Sequence, residues 1–237
     1  SCMPRGEESL SALRRSMLWY SGQTREEALV DVQHQQPSSA FDQVANALIA
    51  GQAVVFPTDT VFGLGVSVAH AQTPEVLYAL KERDRGKPIA WLVGSAADLS
   101  FYGEAVPAWA RSLADAFWPG ELTLVVRATD KVPAAFRSDA GTIGLRMPNA
   151  PCVLQLIDQV GSPLATTSAN KSGAADVVSY DALDPAIAAR VAAVFPGWDV
   201  SAQGVSSTVI DATGDEPRIL RAGANAALIR QQLDQLA

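Results

Sequence analysis

The sequence predicts an α/β fold, and three observations carry the prediction. β-Type apolar runs alternate with helical periodicities, the runs end in polar clusters, and Pro or Gly punctuates most junctions. The clearest run, Ala53 to Phe56, stops at Pro57 because proline has no N–H to give a sheet ladder. Thr58, Asp59 and Thr60 follow at once, then Gly63 and Gly65, which permit a turn or a close approach to a ligand. A buried strand that delivers hydroxyls and a carboxylate to its C-terminal end is how open α/β sheets build sites.

In chain order, residues 1–37 mix charge, Ser and Gln and read as an N-terminal extension with a short helical stretch around Leu10 to Tyr20. Residues 38–237 form the folded domain. Phe41, Val44, Ala45, Leu48 and Ile49 share one helical face, and Gly51 supplies the stop. After the central strand, Thr73 and Pro74 open a second helix as N-cap and first-turn residue, turning Val76, Leu77 and Leu80 inward. Its end is basic, with Lys81, Arg83, Arg85 and Lys87 in seven positions. Pro88 to Val93 is a buried strand. A short helix near Ala96–Tyr102 and a longer one from Val106, carrying Trp109, Leu113 and Phe117, come next. Trp118-Pro119-Gly120 breaks the chain ahead of a strand at Leu122–Val126, and Thr142–Arg146 is another. A helix around Cys152–Ile157 leads to the strand Pro163–Asn170, which also ends in polar residues. Leu183, Ile187, Val191 and Val194 put an amphipathic helix over 181–194. Segments 206–211 and 218–223 read as a late strand pair, and Ala226 to Leu236 as the closing helix.

Composition narrows the function. A 48% hydrophobic and 18% charged chain has a real core, and a net charge of -7 disfavours a surface devoted to nucleic acid. His34 and His70 are the only histidines and no Cys-x-x-Cys occurs, so no metal-ligand set is expected. No run reaches the roughly 18 apolar residues of a membrane span, and no signal segment is evident. A cytoplasmic protein with no membrane contact is the expectation. Neither a P-loop nor a Gly-x-Gly-x-x-Gly turn is present, and Ser168 has no His partner or Gly-x-Ser-x-Gly context, which removes the commonest nucleotide folds and a hydrolase triad.

Four polar clusters remain: Thr58/Asp59/Thr60, Lys81/Arg83/Lys87, Arg146, and Ser168/Asn170, with Ser207 and Arg221 behind them. Each has a structural alternative. The basic run suits a solvated helix end, Ser168 and Asn170 suit a cap, and Arg146 suits a structural carboxylate. Together they describe a pocket for an anionic ligand, since guanidinium forks match phosphate and carboxylate.

Pro57-Thr-Asp-Thr-Val-Phe-Gly-Leu64, Lys81-x-Arg83, Trp118-Pro-Gly-x-Leu-Thr123, Arg146-Met-Pro148, Ser168-Ala-Asn-x-Ser-Gly173, Ser207-Thr-Val and Leu220-Arg-x-Gly223 resemble the YrdC-like family over roughly residues 40–237, in the family's order. The resemblance implies a twisted mixed sheet with flanking helices around a large concave pocket, so 38–237 would be a YrdC-like catalytic domain. It implies a nucleotidyltransferase, an L-threonylcarbamoyladenylate synthase that joins L-threonine, bicarbonate and ATP with release of pyrophosphate. ATP is then a substrate, Mg2+ a phosphate counter-ion, and a TsaD-type tRNA-modifying transferase the downstream partner. By similarity, Lys81, Arg83, Ser168 and Asn170 form a catalytic tetrad. Thr60, Arg146, Thr166 and Ser207 hold threonine, while Arg83, Lys87, Thr142, Ser168, Asp176 and Arg221 face ATP.

The sequence departs from the family pattern at Phe62 (usually Tyr), Asp84 (often Pro), Leu92 (His in some members) and the missing Asp-Gly-Gly run between Gly173 and Ser207. The chain ends soon after Arg221-Ala-Gly223, which suggests the single-domain form. Two other readings stay open. One is a double-stranded-RNA-binding or regulatory paralogue without synthesis, using Lys81 to Lys87 as a basic groove. The other is a carbamoyl-transfer domain.

Overall fold

The computed structural model describes residues 39–86, 88–197 and 202–236. The expected extension over 1–37 and Lys87 lie outside the described residues. Helix α1 (Ala40–Ile49) starts where Ser39 Oγ accepts the Asp42 backbone N–H at 3.1 Å, and it buries Val44, Ala45, Ala47 and Leu48. Gly51 stops the chain with a φ of 77°, where a Cβ would lie 2.8 Å from the His70 carbonyl oxygen.

Strands β1 (Val54–Pro57) and β2 (Phe62–Ser67) pair antiparallel, with Pro57 opposite Phe62 at the closed end. β2 is not expected from its sequence, where Gly63 and Gly65 read as turn residues. They lie inside a fully buried strand because the Phe56 ring and Thr166 occupy the space where their Cβ atoms would stand. Helix α2 is Val68–Ala71 and α3 is Glu75–Lys81. Pro74 occupies the N-cap of α3 with no side-chain cap, and Val76 is exposed while Tyr78 joins Leu77 and Leu80 inside.

The middle of the chain follows the expected order, with one unexpected short strand, β4, added: β3 (Ala90–Leu92), α4 (Asp98–Tyr102), β4 (Gly103–Glu104), α5 (Ala108–Phe117), β5 (Leu122–Ala128), β6 (Thr142–Arg146), α6 (Pro151–Val160) and β7 (Leu164–Ser168). The helix expected over 181–194 is instead a 3-10 turn at Tyr180–Ala182, a short α7 (Pro185–Ala188) and a strand β8 (Ala193–Val194). Asp184 caps α7 by accepting the Ala186 N–H at 2.8 Å, and Pro185 cannot continue a helix begun earlier. Leu183 and Ile187 still bury as the periodicity requires, but β8 pairs in parallel with β1. The chain closes with β9 (Thr208–Asp211), β10 (Arg218–Arg221) and α8 (Ala226–Leu236).

Among the described residues the strands form one mixed sheet in the order β10-β9-β5-β6-β3-β7-β2-β1-β8, with β4 added to β5. The pairs β1/β8, β3/β6 and β5/β9 are parallel and the others antiparallel. Strand alternation then sorts the side chains. Trp91, Leu122, Leu124, Val126, Ile143, Leu145, Ala165 and Ile210 enter one core with Leu77, Leu113 and Ile229 of the helices. A second core joins Val54 and Phe56 to Leu48 of α1 and Leu156 of α6. Thr123, Val125, Thr142, Gly144, Arg146, Thr166, Ser168, Val209 and Asp211 sit at the alternate positions of β5, β6, β7 and β9, and all of them line a cavity.

Candidate active site

The cavity holds about 580 Å³. Gly144 of β6 lines it without a side chain, and a Cβ there would stand 3.3 Å from the Ala90 Cβ. Of the residues expected from sequence, Thr60, Arg83, Thr142, Arg146, Thr166, Ser168, Ser207 and Arg221 line it. Lys81, Asn170 and Asp176 do not.

At one end, the loop after β1 is folded by Thr58, whose Oγ1 donates to the Val61 carbonyl at 2.6 Å and accepts the Thr60 N–H at 3.2 Å. This turn brings Asp59 and Thr60 to Arg146 at the end of β6. Arg146 Nη1 donates to Asp59 Oδ1 at 2.8 Å and to the Gly120 carbonyl at 3.2 Å, while Nη2 donates to Thr60 Oγ1 at 3.3 Å. Arg146 therefore has the carboxylate partner expected of a structural arginine and also lines the cavity.

Across from it, Arg221 donates from Nε and Nη2 to the Ser207 carbonyl at 3.0 and 2.9 Å, and from Nη2 to Ser207 Oγ at 3.1 Å. Ser207 Oγ also lies 2.8 Å from Thr123 Oγ1. Since Ser207 Oγ accepts from Arg221, the two hydroxyls share one mutual hydrogen bond and keep one hydrogen for a ligand. Burial, reinforced by the positive charge of Arg146 and Arg83 and opposed by Asp176, lowers the Arg221 pKa. An arginine does not give up its proton, so this end of the cavity favours an anion.

The third corner is built by α3 and β7. Arg83 donates to Thr167 Oγ1 at 3.2 Å and to the Pro88 carbonyl at 3.1 Å, yet its buried Nε has no acceptor. Burial lowers its pKa as well. Arg83 lines the cavity, and its two Nη atoms each keep one hydrogen beyond these bonds. Lys81 stands behind this wall, 2% exposed, with Nζ directed to the carbonyl and side-chain oxygens of Ser168 and Asn170. Desolvation, and next the neighbouring Arg83 charge, lower its pKa to about 8, with Asp176 acting the other way. Ser168 Oγ accepts from Lys81, so its own hydrogen is free for the cavity. Asn170 Nδ2 donates to the Ala174 carbonyl at 2.8 Å, which spends its amide on the turn after β7. Asp176 accepts from Ser206 Oγ at 3.4 Å and acts on the cavity through its charge.

Several lining residues were not singled out from sequence. Thr123 ends the Trp118-Pro-Gly-x-Leu-Thr123 segment, and its alternate position with Val125 on β5 is the sequence signal for it. Ser138 lies 2.6 Å from Thr142 Oγ1 and fixes that hydroxyl from a turn, which no periodicity reveals. Asp211 and Thr213 come from the end of β9. Among the described residues no cluster of three or more His, Cys, Asp or Glu side chains is placed to hold a metal.

The family model Sua5/YciO/YrdC, described as telomere recombination, matches residues 46–223. A Mycobacterium tuberculosis protein is 37% identical over 189 residues, covering 80% of this chain and 86% of that one. The threonylcarbamoyl-AMP synthase of Pyrococcus abyssi is 33% identical over 173 residues, covering 73% of this chain and 51% of the longer relative. The enzyme of the same name from Vibrio parahaemolyticus is 30% identical, covering 77% of this chain and 98% of its own length. Among solved structures, Pyrococcus abyssi Sua5 complexed with L-threonine superposes with a TM-score of 0.70 at 30% identity, over 79% of this chain and 56% of Sua5. E. coli YciO superposes at 0.67 and 25% identity, over 80% of this chain and 92% of YciO. The fold, the motif order and these relatives agree: the chain belongs to the Sua5/YciO/YrdC family.

Proposed function

We propose that this protein is an L-threonylcarbamoyladenylate synthase, a nucleotidyltransferase that joins L-threonine, bicarbonate and ATP. The observation that carries the reading is one cavity lined by three groups: Arg146 with Thr60, Ser207 with Arg221, and Arg83 with Ser168. The first suits an amino-acid carboxylate, the Ser207 hydroxyl suits a substrate hydroxyl, and the guanidinium groups of Arg83 and Arg221 suit a polyphosphate.

In the proposed reaction, the amine of L-threonine adds to CO2 derived from bicarbonate and loses a proton to give a carbamate. A carbamate oxygen then attacks the α-phosphorus of ATP as the bond to the bridging oxygen of pyrophosphate breaks. The products are threonylcarbamoyl-AMP, pyrophosphate and water. No enzyme nucleophile is needed, so positioning and charge stabilisation do the work. Thr60, Arg146, Thr166 and Ser207 hold threonine. Arg83, Thr142, Ser168 and Arg221 meet ATP, with Lys87 as a further expected contact. Lys81 supports Ser168 from behind, Asn170 holds the Lys81 ammonium in place, and Asp176 tempers the positive charge. Among the described residues Asp211 is the one carboxylate lining the cavity, so Mg2+ is proposed to enter on the triphosphate as part of the substrate. The adenylate passes to a TsaD-type tRNA-modifying transferase in the cytoplasm. In this reading residues 38–237 are the catalytic domain.

The test is pyrophosphate release from ATP and bicarbonate with and without L-threonine, with the adenylate sought by mass spectrometry. Threonine-dependent release with the expected mass supports the synthase. ATP binding without such release overturns it, and salt-sensitive binding of double-stranded RNA in that case favours the regulatory paralogue.

A further inference from the structure

We propose that Asp59 is a positioning residue for the amino-acid substrate, orienting the Arg146 guanidinium whose remaining hydrogens take the substrate carboxylate. The inference rests on the reading that Arg146 meets L-threonine.

Asp59 is 5% exposed and is not among the cavity-lining residues, so it acts through another group. Its Oδ1 accepts from Arg146 Nη1 at 2.8 Å and its Oδ2 accepts the Asn149 N–H at 3.0 Å. The loop that carries it is fixed from the other side, where the Asp59 and Thr60 carbonyls accept the N–H groups of Gln203 and Gly204 at 3.2 and 2.9 Å. A guanidinium has five hydrogens. Asp59 and the Gly120 carbonyl engage both on Nη1, and Thr60 engages one on Nη2. The Nε hydrogen and one Nη2 hydrogen remain, a pair that can meet two carboxylate oxygens as a fork. Without Asp59 the Nη1 end loses its charged acceptor, and the fork is free to turn toward other oxygens.

Charge and position predict opposite outcomes for Asp59→Asn. The substitution removes a negative charge beside the carboxylate site, so charge alone would tighten L-threonine binding. It also sets an amide where Nη1 and the Asn149 N–H both need acceptor oxygens, so loss of position would weaken binding.

The experiment measures pyrophosphate release by the wild type and Asp59→Asn, with KM for L-threonine and for ATP, ATP binding by calorimetry, and thermal melting. The expected result is an L-threonine KM raised about tenfold or more, an ATP KM changed by less than about twofold, and retained ATP binding. The wild type should also prefer L-threonine to L-threoninamide, which lacks the carboxylate, and Asp59→Asn should narrow that preference. An unchanged or lowered L-threonine KM overturns the proposal. So does an equal rise in both KM values with a fall in melting temperature, the signature of a purely structural residue. If Asp59→Asn does not fold, Asn149→Pro decides by the same criteria, because it removes the N–H that fixes Oδ2 and leaves both charges in place. A wild type without threonine-dependent release overturns the synthase reading and this proposal with it, whereas an active wild type with unaffected variants overturns this proposal alone.

Discussion

Lys81 ties the end of helix α3 to the end of strand β7 through Ser168. Its Nζ donates to the Ser168 carbonyl at 2.6 Å and reaches Ser168 Oγ at 3.1 Å, with the Asn170 carbonyl and Oδ1 at 2.8 and 3.1 Å. One buried ammonium thus sets the backbone and the hydroxyl of a cavity-lining residue at once.

Lys81→Met should destabilise the protein by about 2–4 kcal/mol, because two buried and two half-buried acceptors lose their donor. Lys81→Arg should not restore it, since a planar fork cannot direct its hydrogens as an ammonium does. Urea denaturation measures both.

The same residue gives a pH signature. An unfolded lysine keeps its proton to about 10.5, whereas burial brings folded Lys81 down to about 8. Between those values the unfolded chain binds the extra proton, so the Lys81 contribution to stability rises with pH through that window and is lost as pH falls through about 8. The slope is at most about 1.4 kcal/mol per pH unit. Denaturation of wild type and Lys81→Met between pH 7 and pH 10 should show the difference growing with pH.

Arg83→Ala should lower threonine-dependent pyrophosphate release by about 100-fold or more. The loss in stability should be only about 1 kcal/mol, because Arg83 gives the fold two hydrogen bonds to neutral acceptors. Steady-state kinetics paired with circular dichroism checks this, and full activity in the variant would remove Arg83 from the site.

Thr123→Val takes away the hydroxyl that shares a hydrogen with Ser207. The KM for L-threonine should rise about two- to tenfold, the value of one hydrogen bond, with the KM for ATP unchanged. Initial rates at varied concentrations of each substrate separate the two.

Gly63→Ala would set a Cβ 2.8 Å from Thr166 Cγ2 inside the sheet. The strain should cost about 1–3 kcal/mol and press Thr166 toward the cavity, raising the KM for L-threonine. Thermal melting and the same kinetics report each effect.

The elements legible in the sequence were those with long, uninterrupted patterns. The strand Thr142–Arg146 and the helix Ala226–Leu236 have the bounds that their residues indicate. β2 was hidden because Gly63 and Gly65 have no side chains to show alternation, and their close contacts with Phe56 and Thr166 exist only once the strands pair. The 181–194 segment misled because Leu183 and Ile187 satisfy a helical period and a short capped turn equally well. Its last residues join β1 through backbone hydrogen bonds, which no side-chain period reports.

The sequence by itself determined the α/β class, the family and eleven expected site residues that the structure describes, eight of which reach the cavity. Strand-end polar groups and alternate positions are local properties of the chain, and they survive whatever packs around them. Tertiary structure decided which of those residues touch a ligand. Lys81 turns inward to Ser168 and Asn170, Asp59 faces Arg146 from outside the cavity, and Thr123 meets Ser207 from 84 positions away. The reason is geometric. Each buried donor must find an acceptor, and which acceptor lies within 3 Å or so is fixed by strand order and register, not by neighbours in sequence.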